Sequence, residues 1–186
     1  MKDKRSLQIL RIITLVGVVA LITALFIFRH QVRRLEHFGY IGIFLISIAA
    51  NATIIIPIPG VAFTAAMGAI FNPIGVAVAA GLGAALGELT GYMAGFGGQA
   101  VIERAALYDR LTEWMRNHQN LAYLVILLLA FIPNPLFDLA GMASGALKLP
   151  LWKFLIACAI GKIFKMLVFA YAGYYYFGFV NGMFHR

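Results

Sequence analysis

The chain has 186 residues, of which 62% are hydrophobic and only 12% are charged, and its mean hydropathy is +0.89. A soluble domain carries about twice that charged fraction, so an ordinary soluble domain is excluded. The formal charge is +8, but the basic residues form short clusters between apolar runs, which favours a membrane surface over nucleic acid as a partner. The single cysteine, Cys158, excludes a disulfide framework. These numbers predict a small, single-domain integral membrane protein.

The first segment, residues 1–37, is predicted to be an N-terminal transmembrane anchor followed by a basic linker. Leu7 to Phe28 is a mostly apolar run of 22 residues, enough to cross a hydrocarbon core about 30 Å thick. A secretory signal peptide is the alternative, but its apolar region would be shorter and would lead into a small-residue cleavage site. Arg29 and His30 follow this run directly, so we favour a retained helix.

The core, residues 38–186, begins with a predicted re-entrant hairpin and a transmembrane helix over residues 38–97. Pro57, Pro59 and Gly60 interrupt the apolar run, and this combination cannot continue a helix. The next break is at Pro73, and the short helix between the two breaks would reach only about 18 Å, too little to span a bilayer. We therefore expect the chain to enter the membrane, turn at a proline tip, return and then cross.

Residues 98–120 are polar, and their apolar side chains recur at helical spacing. This pattern predicts an amphipathic helix lying in the membrane interface, with a solvated loop helix as the alternative. Residues 121–186 then repeat the first plan: two 12-residue apolar arms flank Pro133 and Pro135, and a long apolar helix follows. The second tip therefore resembles the first.

The two units can be superimposed in sequence. Pro57 falls on Pro133 at an offset of 76 residues, and Gly68 falls on Gly145 at an offset of 77. If residues 98–120 stay at the surface, the second unit starts from the opposite face of the membrane. The expected fold is therefore all-α: an inverted repeat of two re-entrant helical hairpins, each followed by a transmembrane helix, plus the N-terminal transmembrane helix. Such repeats recur in transporters; hairpins that only fill a helical bundle are the alternative.

Charged residues within the apolar units are the candidates for a transport pathway. Glu88 and Asp138 are the only formal charges in residues 38–97 and 117–147. A charged side chain at the bilayer centre costs about 2.5–3.5 kcal/mol, so each needs a partner, water or a bound proton. The alternative is structural: Asp138 caps the short helix after Pro135, and Glu88 pairs with a lysine. Two lysines three residues apart share a helix face that could meet Glu88, although snorkelling to the interface is the alternative. Two asparagines next to the tips either satisfy backbone groups or bind ligand. The candidate pathway residues are Glu88, Asp138, Lys162, Lys165, Asn134 and Asn51.

Other patterns predict packing and argue against catalysis. Glycines recur every four residues at Gly83, Gly87, Gly91 and Gly95, which predicts one smooth face for close helix packing. The four histidines are scattered over ends and linkers, and no nucleophile–base pair or phosphate-binding loop is visible. We therefore expect no catalytic residue, metal or cofactor, and a transporter or scaffold rather than an enzyme.

The stretch Phe131 to Gly141, FIPNPLFDLAG, resembles the second hairpin of the vacuole membrane protein 1 branch of the DedA superfamily, whose shared core is the VTT domain of SNARE-associated Golgi proteins. Gly83 to Leu89 resembles the preceding helix of that branch, and the likeness covers residues 45–170. The resemblance implies two opposed re-entrant hairpins and lipid movement between leaflets. It assigns the family's acidic and broken-helix positions to Glu88, Asp138, Pro133, Asn134 and Pro135.

The expected function is a membrane lipid transporter that moves phospholipid between leaflets, like a scramblase, through a polar cleft between the hairpins. One alternative, implied by bacterial members, is a proton-coupled translocase of undecaprenyl phosphate or another small anion. Many of those members carry arginines beside the second proline motif, whereas residues 117–147 contain no lysine or arginine, which favours the scramblase. The other alternative is a non-transporting scaffold that binds partners through residues 98–120. A homo-oligomer is compatible with either.

The expected location is the plasma (inner) membrane of a prokaryote. Lysines and arginines number seven on the predicted N-terminal side and four on the other, which favours a cytoplasmic N-terminus.

Overall fold

The structure, a computed structural model, describes residues 36–52, 60–97, 105–134 and 136–184. These segments are helical and contain no strand, which confirms the predicted all-α class. The predicted N-terminal anchor, Pro57, Pro59 and Pro135 lie outside the described residues. The helices are α1 (Glu36–Ala52), α2 (Gly60–Gly68), α3 (Pro73–Gly87), α4 (Leu89–Phe96), α5 (Ala105–Asn117), α6 (Gln119–Phe131), α7 (Leu136–Ala146) and α8 (Leu151–Phe184).

Among the described residues, two helical stretches are long and apolar enough to cross a membrane: Pro73–Phe96, which joins α3 and α4, and Leu151–Tyr176 in α8. Local chemistry determines where the first begins. The Asn72 side chain accepts hydrogen bonds from the backbone N–H groups of Ile74 and Gly75, and Pro73 occupies the first turn, where its missing N–H leaves no bond unmade. The predicted break at this position is therefore the start of a spanning helix.

The two long stretches pack against each other at the centre of the domain and run in opposite directions. Gly81 on α3 lies against Ile163 on α8, whereas further along the first stretch the Tyr92 ring packs on Phe154, near the start of α8, with centroids 5.3 Å apart. Helix α1 packs along α3, and α6 packs along α8. Each long helix therefore has one shorter apolar helix beside it.

The short helices α2 and α7 each pack on the long helix of the other unit. Helix α2 contacts α8, where Gly68 lies directly against the backbone of Ala170. Helix α7 contacts α4, where Gly145 lies directly against the backbone of Tyr92. At both glycines a Cβ atom would collide with the neighbouring backbone, so glycine allows the close approach.

Helix α5 is the described part of the predicted amphipathic segment. It packs on α7 and α6, and Met115 on its inner face is fully buried in the core that surrounds Phe154. Trp114 is partly exposed, and its ring stacks on His118 with centroids 5.3 Å apart. The helix thus has one face joined to the second unit and an aromatic pair on its outer side.

Candidate functional site

Glu88 lies at the junction of α3 and α4, the sixteenth of the 24 residues in the first long stretch. Its backbone stays close to helical, because its N–H reaches the carbonyl of Ala84 and its own carbonyl accepts from Tyr92. The residue is 6% exposed, so its carboxylate lies inside the protein. A buried carboxylate requires a partner, and α8 supplies it.

That partner is Lys162, which is 4% exposed and lies near the middle of the Leu151–Tyr176 stretch. Its Nζ donates to Glu88 Oε1 over 2.5 Å and to Asn51 Oδ1 over 3.0 Å. The same ammonium lies 4.5 Å from the ring centroid of Phe137, within the range of a cation–π contact. One ammonium group therefore joins α1, the α3–α4 junction, α7 and α8.

Asn51 lies in the last turn of α1, close to the first predicted tip. Besides accepting from Lys162, it donates from Nδ2 to the carbonyl of Ser47 over 2.9 Å. Both ends of its amide are therefore occupied, one by backbone and one by the buried cation. The sequence left two roles open for Asn51, satisfying a backbone group or binding a ligand. The structure shows the bond to backbone and, in addition, the bond to Lys162.

Asn134 lies between α6 and α7 and bonds to backbone only. Its Nδ2 donates to the carbonyls of Leu129 and Ile132, over 3.0 and 2.8 Å. Its Oδ1 accepts from the N–H groups of Leu136 and Phe137, over 2.9 and 3.1 Å. One side chain thus satisfies the end of α6 and the start of α7, groups that a break within a membrane would otherwise leave unpaired.

Lys165 and Asp138 border the buried cluster without a direct partner of their own. Asp138 is exposed in the first turn of α7, and Lys165, one turn beyond Lys162 on α8, is half-buried. Within the described residues neither takes part in an ion pair or a hydrogen bond, yet both are close enough to interact electrostatically with each other and with Lys162. The four charges together sum to zero.

The predicted glycine face and tip residues divide among several neighbours. Gly83 and Gly87 lie against α1 and Gly95 lies against α7, whereas no atom of the described residues lies within 4 Å of the place where a methyl group added to Gly91 would stand. Three of the four glycines therefore contact two neighbouring helices instead of one, because a row of every fourth residue drifts by about 40° per step around a helix. Among the tip residues, Gly60 begins α2 and Pro133 lies exposed between α6 and α7.

Sequence reasoning missed two polar or aromatic contacts. The contact between the Phe137 ring and the Lys162 ammonium could not be predicted, because the only signal in the sequence is that Phe137 precedes Asp138. Tyr92 donates its hydroxyl hydrogen bond to the carbonyl of Leu149 over 2.6 Å, a link between residues 57 positions apart that no local pattern reveals. Across the described segments, no three His, Cys, Asp or Glu side chains come together as metal ligands would.

The fold and the site together define a helical integral membrane protein with a charged cluster between its long helices. Residues 58–175 match the VTT domain, and the chain belongs to that family. Its resemblance to the vacuole membrane protein branch is confirmed by relatives of that name. No solved structure matches the chain.

The aligned relatives are eukaryotic and much longer. The vacuole membrane protein KMS2 of Arabidopsis thaliana is 39% identical over 44% of this chain, which covers 24% of that protein. The vacuole membrane protein 1 homolog of Dictyostelium discoideum is 56% identical over 23% of the chain and 11% of its own length. Human vacuole membrane protein 1 is 51% identical over 26% of the chain and 12% of its own length. The chain thus spans a quarter or less of these relatives.

Proposed function

We propose that this protein moves phospholipid between the two leaflets of its membrane through a polar cleft between two re-entrant hairpins. One observation carries the proposal: the buried Lys162 ammonium binds Glu88 and Asn51 near the middle of the long helices. A polar headgroup crossing a bilayer needs charged or hydrogen-bonding groups at the depth where lipid offers none. This cluster lies at that depth, beside the ends of broken helices.

Pairs of matching contacts support an inverted repeat. The close approach of Gly68 to Ala170 in one half corresponds to that of Gly145 to Tyr92 in the other. A second pair of contacts also matches between the halves: Gly95 lies against the carbonyl of Met142, and Gly173 lies against the carbonyl of Ala65. Met142 and Ala65 are separated by 77 positions, the offset of the sequence repeat. Since the two long stretches are antiparallel, a two-fold relation between the units inverts one against the other.

The course of α1 supports the re-entrant hairpin. Helix α1 runs parallel to α3, with Tyr40 beside Gly75 near their starts and Asn51 beside Gly87 further along. The chain must therefore return to its starting level before α3 begins, and α2 is the returning segment. The end of α1 lies beside Gly87 and Glu88 and not beside the last residue of the long stretch, so α1 ends short of the full length of that stretch, as a re-entrant arm would.

In the proposed pathway a headgroup moves past the charged cluster while the acyl chains stay in lipid. The exposed Asp138 and the half-buried Lys165 are positioned to meet the headgroup first. The buried pair of Lys162 and Glu88 connects the two units, and it must stay closed or re-form for the domain to remain intact. Transport along this route requires no covalent chemistry and no bound cofactor.

Reconstitution tests the proposal. The purified chain is placed in phosphatidylcholine vesicles that contain a fluorescent phospholipid, and dithionite is added to destroy the label in the outer leaflet. We expect rapid loss of the protected inner-leaflet signal with protein and slow loss without it. Asp138→Asn should slow exchange, whereas Asp109→Asn, which neutralises an exposed acid on α5, should not. Equal rates in protein-containing and empty vesicles would disprove lipid transport.

A second candidate is a translocase of an anionic lipid phosphate such as undecaprenyl phosphate, driven by protons. The observation that favours it is Lys165, a half-buried cation without an ion-pair partner in the described residues, since lysine is a common phosphate ligand. This function predicts a transport rate that depends on a pH gradient, whereas passive exchange of phospholipid does not. The same vesicles, prepared with and without a gradient, distinguish the two.

The membrane and the partners of the protein remain proposals as well. The matched relatives are eukaryotic and are named for the vacuole membrane, so they lend no support to the plasma membrane of a prokaryote. A scaffold that acts through α5 predicts that replacing the exposed Trp114 abolishes cellular function while lipid exchange in vesicles stays intact.

A further inference from the structure

The strongest feature that the proposed function leaves unexplained is the pair formed by Asp138 and Lys165. Their side chains have opposite formal charges, and neither has a hydrogen bond or an ion pair among the described residues. Their neighbours Glu88 and Lys162, by contrast, are closed onto each other. The Asp138 carboxyl group and the Lys165 amino group thus lie near each other, more than 4.0 Å apart, and neither has a partner in the described segments.

Because Asp138 and Lys165 lie near the middle of the long helices, leaving both without a partner is energetically unfavourable unless a ligand binds there. The Phe137 ring contacts the Lys162 ammonium, so Asp138, the next residue in the first turn of α7, lies at the level of the buried pair. Lys165 is the fifteenth of the 26 residues in the Leu151–Tyr176 stretch. A carboxylate and an ammonium near the middle of a membrane are unfavourable when they face hydrocarbon, so their surroundings must be polar.

We infer that Asp138 and Lys165 form the headgroup-binding pair of the pathway and select zwitterionic phospholipids, a conclusion that rests on the proposed function. The Lys165 ammonium binds the lipid phosphate, and the Asp138 carboxylate binds the cationic choline or ethanolamine group. Opposite charges at separate points match a headgroup that itself carries opposite charges at separate points. The zero net charge of the four-residue cluster also disfavours a site for a purely anionic headgroup.

Lipid tails have a contact surface beside Lys165. Phe164, immediately before it, and Val168, one turn further along α8, are exposed apolar side chains on the same side of the helix. A headgroup held between the two charges would therefore leave its acyl chains against apolar surface, where burial of hydrocarbon is favourable. A soluble phosphorylated ligand would gain nothing from these side chains.

The test compares two labelled lipids in the same dithionite assay, zwitterionic phosphatidylcholine and anionic phosphatidylglycerol, each with its label on the acyl chain. The ratio of the two rates does not depend on how much protein is correctly folded. We expect Asp138→Asn to lower the phosphatidylcholine rate about tenfold relative to phosphatidylglycerol, the effect of losing one charge-assisted contact. Lys165→Gln should lower both rates and leave their ratio near that of the unmodified chain, because both lipids carry a phosphate.

Two controls neutralise exposed charges elsewhere, Asp109→Asn on α5 and Lys153→Gln on α8, and both should leave the ratio unchanged. If the unmodified chain moves both lipids and Asp138→Asn slows them equally, the headgroup assignment is wrong while lipid transport stands. If the unmodified chain moves neither lipid faster than empty vesicles do, the proposed function fails and this inference fails with it.

Discussion

The Nζ atom of Lys162 lies 2.5 Å from Oε1 of Glu88, and both residues are more than nine-tenths buried. Lys162 belongs to the second unit and Glu88 to the first, so this ion pair is a bond between the two halves of the domain. A buried pair of this kind stabilises little compared with two apolar side chains of similar size, yet it becomes costly when one partner is removed. That asymmetry provides the first prediction.

Lys162→Met should destabilise the protein by about 3–5 kcal/mol, because it leaves the carboxylate of Glu88 buried without its cation. Glu88→Leu should be similarly harmful. The double variant should recover much of the lost stability, since no uncompensated charge remains. Thermal unfolding of the purified variants in detergent measures all three, and simple additivity of the two single effects would contradict the role of the pair.

Gly95→Ala should destabilise the protein by about 1–3 kcal/mol, because the new methyl group would overlap the carbonyl of Met142. Gly91→Ala is a matched control in the same helix, where no atom of the described segments lies within 4 Å of the added methyl. The control should be neutral or stabilising by up to about 1 kcal/mol, because alanine favours helix more than glycine does. Equal behaviour of the two variants in thermal unfolding would show that α4 does not pack on α7 through Gly95.

Asn134→Ala should destabilise the protein by about 0.5–2 kcal/mol, the usual effect of removing a helix cap. Asn134→Asp keeps the acceptor for the start of α7 but loses the donor to the end of α6, so its effect should be intermediate. Because the amide is fully used by backbone, lipid exchange per folded molecule should be unchanged in Asn134→Asp. A loss of exchange without a loss of stability would instead indicate a ligand-binding role.

Tyr92→Phe should cost about 1–3 kcal/mol, because the buried carbonyl of Leu149 loses its hydrogen-bond donor. Tyr174→Phe offers the control, since Tyr174 is 51% exposed. Both changes remove one hydroxyl group and leave the aromatic ring in place. Thermal unfolding should therefore separate a buried hydrogen bond from the general effect of the substitution, and equal shifts would argue against the Tyr92 bond.

Much of the architecture could be predicted because its signals are local. Asn72 followed by Pro73 is a common local signal for the start of a helix, and Pro133 interrupts a helix because it clashes with the preceding turn and has no N–H to donate. The length of an apolar run also indicates directly whether it can span a bilayer. The all-α class and the two long helices follow from these signals, and the described residues agree with them.

The details of the site could not be predicted because they depend on how helices are rotated about their axes. Lys162 and Lys165 lie on one face, and only the packing of α8 on α3 decides that Lys162 reaches Glu88. The role of Asn51 as a second acceptor depends on the same packing. Asn51, Glu88 and Lys162 are brought together from positions up to 111 residues apart in the chain. At such separations, sequence spacing carries no geometric information.

Because each short helix packs on the long helix of the other unit, the order in which the helices can fold is constrained. Helix α2 finds its packing surface on α8, where the hydroxyl of Thr64 donates to the sulfur of Met166, 102 residues later in the chain. During synthesis α2 is therefore made long before its partner exists. Helix α2 can reach its final packing only after α8 has been made, so until then its apolar surface must be covered by lipid or by the insertion machinery.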